Sequence, residues 1–157
     1  HDRPRDEWTW IDNQVQMDTL YVDPNQYMQT HLNDSSHGDV KGELGHVHLQ
    51  VGDIASAQKF YVDALGFDQT FLMGGQALFV SAGGYHHHMA MNVWNSRGAA
   101  PRSSTLGMGV VDILVPTAQE IDDAAARLKQ SGHTPNFDGR TLSAMDPWNN
   151  EIRLTVG

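Results

Sequence analysis

Five histidines stand where they could do chemistry. Three are consecutive, His86, His87 and His88 in GGYHHHMAMNVW, and two alternate with apolar residues, His46 and His48 in GHVHLQV. Imidazole is the commonest protein ligand for metals and the side chain that exchanges protons near neutral pH. Such residues make a site only if the surrounding elements aim them at one place. Strand side chains alternate across a sheet, so Val47, Leu49 and Val51 face one way and His46, His48 and Gln50 the other. The same alternation from His88 puts His88, Ala90 and Asn92 on one face, with Met89 and Met91 opposite as core filling. It also keeps His87 off the face that His86 and His88 share, which leaves His86 near a rim and His87 structural.

The elements that carry these residues are legible in the pattern. Asp53 follows the first strand as a helix N-cap, and IASAQKFYVDALGF lines up Ala57, Phe60, Tyr61, Ala64 and Leu65 before Gly66 stops the helix. Short β-type runs follow, QTFLM, ALFVS and HHHMAMNVW, separated by Gly74-Gly75 and Gly83-Gly84 turns. The plan then recurs. VVDILV alternates, Thr117 and Glu120 form a capping box, AQEIDDAAARLKQSG buries Ile121, Ala124, Ala125 and Leu128, and the later strands RTLSAM and EIRLTV flank the turn DPWNN. Val47, Leu49 and Val51 recur as Val111, Ile113 and Val115 at a constant spacing of 64 residues. The expected fold is therefore α+β: two tandem βαβββ units, residues 43–98 and 104–157, forming a curved mixed β-sheet with helices on the outer face.

In that arrangement the polar strand faces look into a concave surface. The first unit offers His46, His48, Gln50, His88 and Asn92, and the second offers Val110, Asp112, Leu114, Glu151, Arg153 and Thr155. Ile152, Leu154 and Val156 turn toward the helix. A concave sheet bearing His46, His48, His88, Asp112 and Glu151 suits a divalent metal or an acid–base pair. Asn92, Asp112 and Arg153 are the candidate substrate-binding residues, Arg153 as an anchor for an anion.

Composition excludes several classes. The chain has 157 residues, no cysteine and a formal net charge of −9. No disulfide framework, zinc–thiolate site or thiol nucleophile is available, and the acidic balance argues against nucleic acid. No apolar run approaches the ~20 residues of a membrane helix, and HDRPRDEW lacks the apolar middle of a signal peptide. The expectation is a cytoplasmic domain without membrane or nucleic-acid partners. Residues 1–42 are polar and read as an N-terminal extension or linker, with a short helix from Pro24 capped by Asp23 and a connector at NDSSHGDVKG.

GHVHLQVGDIASAQKFYVDALGF resembles the opening of a module of the vicinal oxygen chelate superfamily, which includes glyoxalase I, bleomycin- and fosfomycin-resistance proteins and extradiol dioxygenases. ALFVSAGGYHHHMAMNVWNSRGAAP resembles catechol-2,3-dioxygenase-like proteins of bacteria, and DPWNNEIRL the superfamily's closing turn and last strand. DRPRDEW resembles the junction that follows an N-terminal domain in those proteins, so the resemblance implies the C-terminal part of a longer chain or a stand-alone derivative. It implies a metal ligand at His46, and a ligand or acid–base residue at His88. The family's second-unit histidine position falls on Val110 and its final-strand carboxylate position on Arg153, so the family's two-histidine, one-carboxylate set is not complete within this chain.

The function this resemblance implies is an extradiol ring-cleavage dioxygenase-like domain that uses Fe(II) or Mn(II) on a small catechol-type aromatic. His46 and His88 would hold metal, and His88 and His48 would be catalytic. The alternatives are a metal-free ligand-binding or structural domain of a two-domain protein, and a glyoxalase-like lyase or isomerase. An absent N-terminal domain, or a second copy of the chain, is the expected protein partner.

Overall fold

The computed structural model of the chain describes residues 4–18, 20–32, 44–103 and 109–157. The expected connector at residues 33–42 lies outside them.

The N-terminal segment is more ordered than its polar composition suggests. After a 3-10 turn at Arg5–Glu7, β1 (Trp10–Ile11) and β2 (Gln14–Val15) form an antiparallel hairpin. Its two-residue turn puts Asp12 and Asn13 at φ 49° and 62°, the left-handed pair that matches strand twist and that short polar side chains tolerate. Helix α1 (Pro24–His31) starts as its sequence dictates. Proline occupies the first helical position, and the Asp23 carboxylate accepts from the backbone N–H of Asn25 at 2.9 Å and of Gln26 at 3.3 Å.

The first unit comprises β3 (Val47–Gln50), α2 (Ile54–Gln58), β4 (Asp68–Met73), β5 (Ala77–Ser81) and β6 (Met89–Asn92). The second comprises β7 (Val110–Val115), α3 (Ala118–Gln130), β8 (Asn136–Phe137), β9 (Thr141–Met145) and β10 (Glu151–Val156). Their sheets run in the orders β3-β6-β5-β4 and β7-β10-β9-β8. In each, the first and last strands pair in parallel and the other pairs are antiparallel. This shared topology is the repeat seen in the sequence, and the mixed α+β class holds. The curved surface consists of two separately hydrogen-bonded sheets, with β3 and β7 as edge strands that both line a cleft of about 490 Å3.

One hydrophobic core joins the units. Ala57, Phe60, Tyr61, Ala64 and Leu65 of the first unit are buried in one cluster with Ile121, Ala124, Leu128, Ile152 and Leu154 of the second. Helix α2 continues as a π-helical stretch at Lys59–Ala64, where the Leu65 N–H reaches back five residues to the Phe60 carbonyl at 2.9 Å. Among the described residues, hydrogen bonds that tie the halves together include Tyr61 Oη donating to Asp146 at 2.8 Å and Arg127 Nη2 donating to the Leu65 carbonyl at 2.7 Å. The Thr117–Glu120 capping box starts α3 as expected.

Two strand expectations differ. Val156, the last residue of β10, is 44% exposed rather than turned inward. The fourth strand begins at Met89, not at His86. Backbone ladder bonds start only with His88, whose N–H donates to the Val80 carbonyl at 2.9 Å and whose carbonyl accepts from Val47 N–H at 3.0 Å.

Candidate metal centre

His46 and His48 lie on the exposed face of the first sheet's edge, His46 just ahead of β3 and His48 within it, while Leu49 behind them is 5% exposed. The polar–apolar alternation of GHVHLQV is enough to place both rings on that face. A third ring reaches them from the loop before β6. That loop is pinned by two hydroxyls, Ser81 Oγ to the Tyr85 carbonyl at 2.7 Å and Thr70 Oγ1 to the His86 carbonyl at 2.6 Å. It turns His87 inward, to a 4.4 Å ring separation from His46 and 6.0 Å from His48.

One ligating atom from each of His46, His48 and His87 lies within 4.8 Å of the other two. Nitrogens that share one ion at ~2.1 Å stand no more than ~4.2 Å apart. A small rotation of the two exposed rings therefore gathers all three onto one metal. Three imidazoles suit iron, zinc, copper or nickel.

The electrostatics agree with ligation. Partial burial, and then the neighbouring His46 charge, hold the His48 imidazole below its ordinary range, which favours the neutral ring with its lone pair. His86 Nδ1 and His87 Nδ1 are 2.8 Å apart and share one proton. When His87 Nδ1 donates it, the His87 Nε2 lone pair is left for a metal, the usual division of labour in a ligating histidine. The His87 ring also meets Phe79 edge-on at 5.1 Å, and Phe79, Ala77 and Ala90 form an apolar floor beside the group.

The other expected residues are distributed differently. His88 lies outside the three-histidine group: its ring stacks on Tyr85 at 4.7 Å, and its Nδ1 accepts from the Ala82 N–H at 3.3 Å. Burial, followed by His86 and Arg5, lowers its proton affinity. His88 and His46 line the inter-sheet cleft together with Asp112. Asn92 is 5% exposed, and its Oδ1 accepts from Trp94 N–H at 3.4 Å. Asp112, Glu151 and Arg153 border a polar groove on the second sheet. There Arg153 holds Glu151 in a two-point ion pair, Nε to Oε1 at 2.9 Å and Nη2 to Oε2 at 3.2 Å. Glu151, which also borders that groove, is thereby committed to Arg153.

His87 is the member that strand alternation does not reveal. The available signal was the adjacent Gly83-Gly84 pair, both at positive φ, which marks a turn rather than a strand in the residues just before His87.

Comparison with known proteins places the geometry in context. The family model for the Glyoxalase/Bleomycin resistance protein/Dioxygenase superfamily matches residues 43–154. A catechol-2,3-dioxygenase of Bacillus subtilis (strain 168) is 40% identical over 106 residues, which is 66% of this chain and 37% of that protein. The chain thus spans little more than a third of that relative's length. A glyoxylase/bleomycin resistance protein/dioxygenase domain from Frankia sp. EAN1pec superimposes with a TM-score of 0.62 at 16% identity, over 75% of this chain and 93% of that one. A fosfomycin resistance protein from Listeria monocytogenes, solved in complex with Mn(II), gives a TM-score of 0.56 at 15% identity, over 75% of this chain and 94% of that one. At these identities the two structures speak to the fold alone. Among the described residues, no helix is long and apolar enough to cross a membrane.

Proposed function

The chain belongs to the Glyoxalase/Bleomycin resistance protein/Dioxygenase superfamily, and from that premise we propose that it is the metal-bearing part of an extradiol-type dioxygenase acting on a catechol-type aromatic. The observation that carries this reading is the convergence of His46, His48 and His87. The 40% identity to a protein named catechol-2,3-dioxygenase supports the substrate class.

His46, His48 and His87 would hold the ion, Fe(II) or Mn(II); of these, Fe(II) is the better match to three imidazoles, since Mn(II) prefers oxygen ligands. When bound, such an ion supplies Lewis acidity and open positions for a catechol's oxygens and O2. The chain's own residues do the rest. Phe79, buried behind the group, meets the His48 and His87 rings edge-on at 6.1 Å and 5.1 Å and holds the two imidazoles in place. His88, whose Nδ1 accepts from the Ala82 N–H and whose Nε2 therefore carries the ring proton, would donate a hydrogen bond or proton to a substrate oxygen at the cleft it shares with His46 and Asp112. A cytoplasmic location, and completion by an N-terminal domain or a second copy, belong to the same proposal.

The test is elemental analysis of untagged protein purified without added metal, beside His46→Ala. Near-stoichiometric iron or manganese that disappears in the variant is the expected result. Absence of metal, or metal retained by the variant, would overturn it. A second reading, a metal-free ligand-binding domain, is favoured by Val110 and by the Arg153–Glu151 pair, which leave the family's other two ligand positions without donors. Protein that is folded, metal-free and catechol-binding would establish it.

A further inference from the structure

The N-terminal segment before α1 is built into the first unit rather than strung beside it. Val15 is 2% exposed, and the Gln14 side-chain oxygen accepts from the Leu72 N–H of β4 at 3.3 Å. Met17 packs on the floor formed by Ala77, Phe79 and Ala90. Trp8 meets His86 edge-on at 4.8 Å and Tyr85 at 5.3 Å, with the Arg5 guanidinium 5.7 Å above the Trp8 ring.

Between this segment and the sheet lies a cavity of about 610 Å3, lined by Trp8, Val15 and Met17 on one side and by His86 and His87 on the other. His87 therefore belongs both to the three-histidine group and to the cavity wall. The cavity is open to solvent, and Glu7, Thr9, Gln16 and Asp18 make its lining as polar as it is apolar. Among the described lining residues the charged ones are acidic, Glu7 and Asp18, and there is no cation to receive an anionic group.

We propose that this cavity is a specificity pocket for an uncharged ring substituent, with residues 8–17 as its outer wall and Met17 as the residue that sets its depth. The proposal rests on the dioxygenase reading for the ligand's chelating edge, which would lie at His46, His48 and His87 while the substituent points under the hairpin. A ring bearing an alkyl group buries it against Met17, Val15 and Trp8, and an unsubstituted ring leaves that space to water.

The experiment is anaerobic calorimetric titration of the protein as purified with catechol and with 4-tert-butylcatechol, with metal content measured on the same samples. Wild type is expected to bind the alkylated ring at least tenfold more tightly. Met17→Trp, which fills the pocket, should abolish that preference without changing the metal content. Met17→Ala adds no bulk and should reduce the preference about threefold, so a misfolded tryptophan variant does not decide the matter. Equal affinities in wild type, or a preference untouched by both variants, would overturn the pocket. Loss of preference in protein that carries no metal would support the pocket and remove the metal reading alone. Full metal with no preference would do the reverse.

Discussion

Replacing Tyr61 by phenylalanine removes one oxygen from the join between the two units. The Tyr61 ring is fully buried, and its hydroxyl donates to Asp146 Oδ2 at 2.8 Å. Asp146, itself 3% exposed, also accepts from the backbone N–H groups of Trp148 and Asn150 at 2.8 Å each and from Asn150 Nδ2 at 2.7 Å. Three donors remain after the substitution, so no carboxylate is stranded. The expected loss is that of one hydrogen bond to a charged acceptor, about 1.5–3 kcal/mol at pH 7. Burial first, then the Asp146 charge and hydrogen bond, hold the Tyr61 hydroxyl well above the ordinary tyrosine range, with Arg102 pulling the other way. The folded state thus keeps a proton that the unfolded state releases near pH ~10. The Tyr61 contribution is complete below that pH and declines above it by up to about 1.4 kcal/mol per pH unit, until the folded hydroxyl ionises as well. Phenylalanine has no proton to lose. Guanidinium unfolding of both proteins at pH 7, 9, 10.5 and 11 should show a gap that is constant up to pH 9 and shrinks by roughly 1 kcal/mol or more by pH 11. Equal stability at pH 7, or a gap unchanged at pH 11, would refute the reasoning.

The remaining predictions concern the site and its supports. His87→Ala should weaken binding of added Co(II), followed by its visible spectrum, by about 100-fold or more, since even changes to residues that only orient ligands cost ~10–100-fold. His88→Ala should stay within about threefold, and the reverse order would return the ligand role to His88. Gly66 sits at φ +93°, and a Cβ there would stand 2.6 Å from Arg127 Nη2. Gly66→Ala therefore strains the backbone and displaces the Arg127–Leu65 hydrogen bond, and should lower stability by about 1–3 kcal/mol in thermal melts; an unchanged Tm would contradict this. Asp53→Ala removes the bonds that the Asp53 carboxylate accepts from Ser56 N–H at 2.7 Å and Ser56 Oγ at 2.8 Å. It should cost about 1 kcal/mol at pH 7. Those bonds hold the Asp53 carboxyl below its usual range, so its contribution is present above the ordinary carboxylate pKa and fades as pH falls through the lowered one. A deficit that persists undiminished below pH ~2 would argue against the cap as the cause.

Much of this protein is written in short-range pattern. The alternation of GHVHLQV places His46 and His48 on one face because strand periodicity is a property of neighbouring residues. The same holds for the Asp23 and Asp53 caps, the Thr117–Glu120 box and the 64-residue recurrence that announces two units. Periodicity ends where regular structure ends, and His87 lies just beyond it. Its direction follows from two hydroxyls that fix the loop, Ser81 at the end of β5 and Thr70 on β4, the latter 16 positions from the His86 carbonyl it holds. The hairpin at residues 10–15 is local, but its docking on the first sheet rests on Met17 and Gln14 meeting residues more than 50 positions away. Asp112, Glu151 and Arg153 share a polar strand face, as alternation requires. That they border a groove of their own, away from His48 and His87, was decided by how the second sheet packs through α3 against the first unit's helix. Local alternation tells a side chain which face to take, and only the packing of the two units tells one face what it looks at.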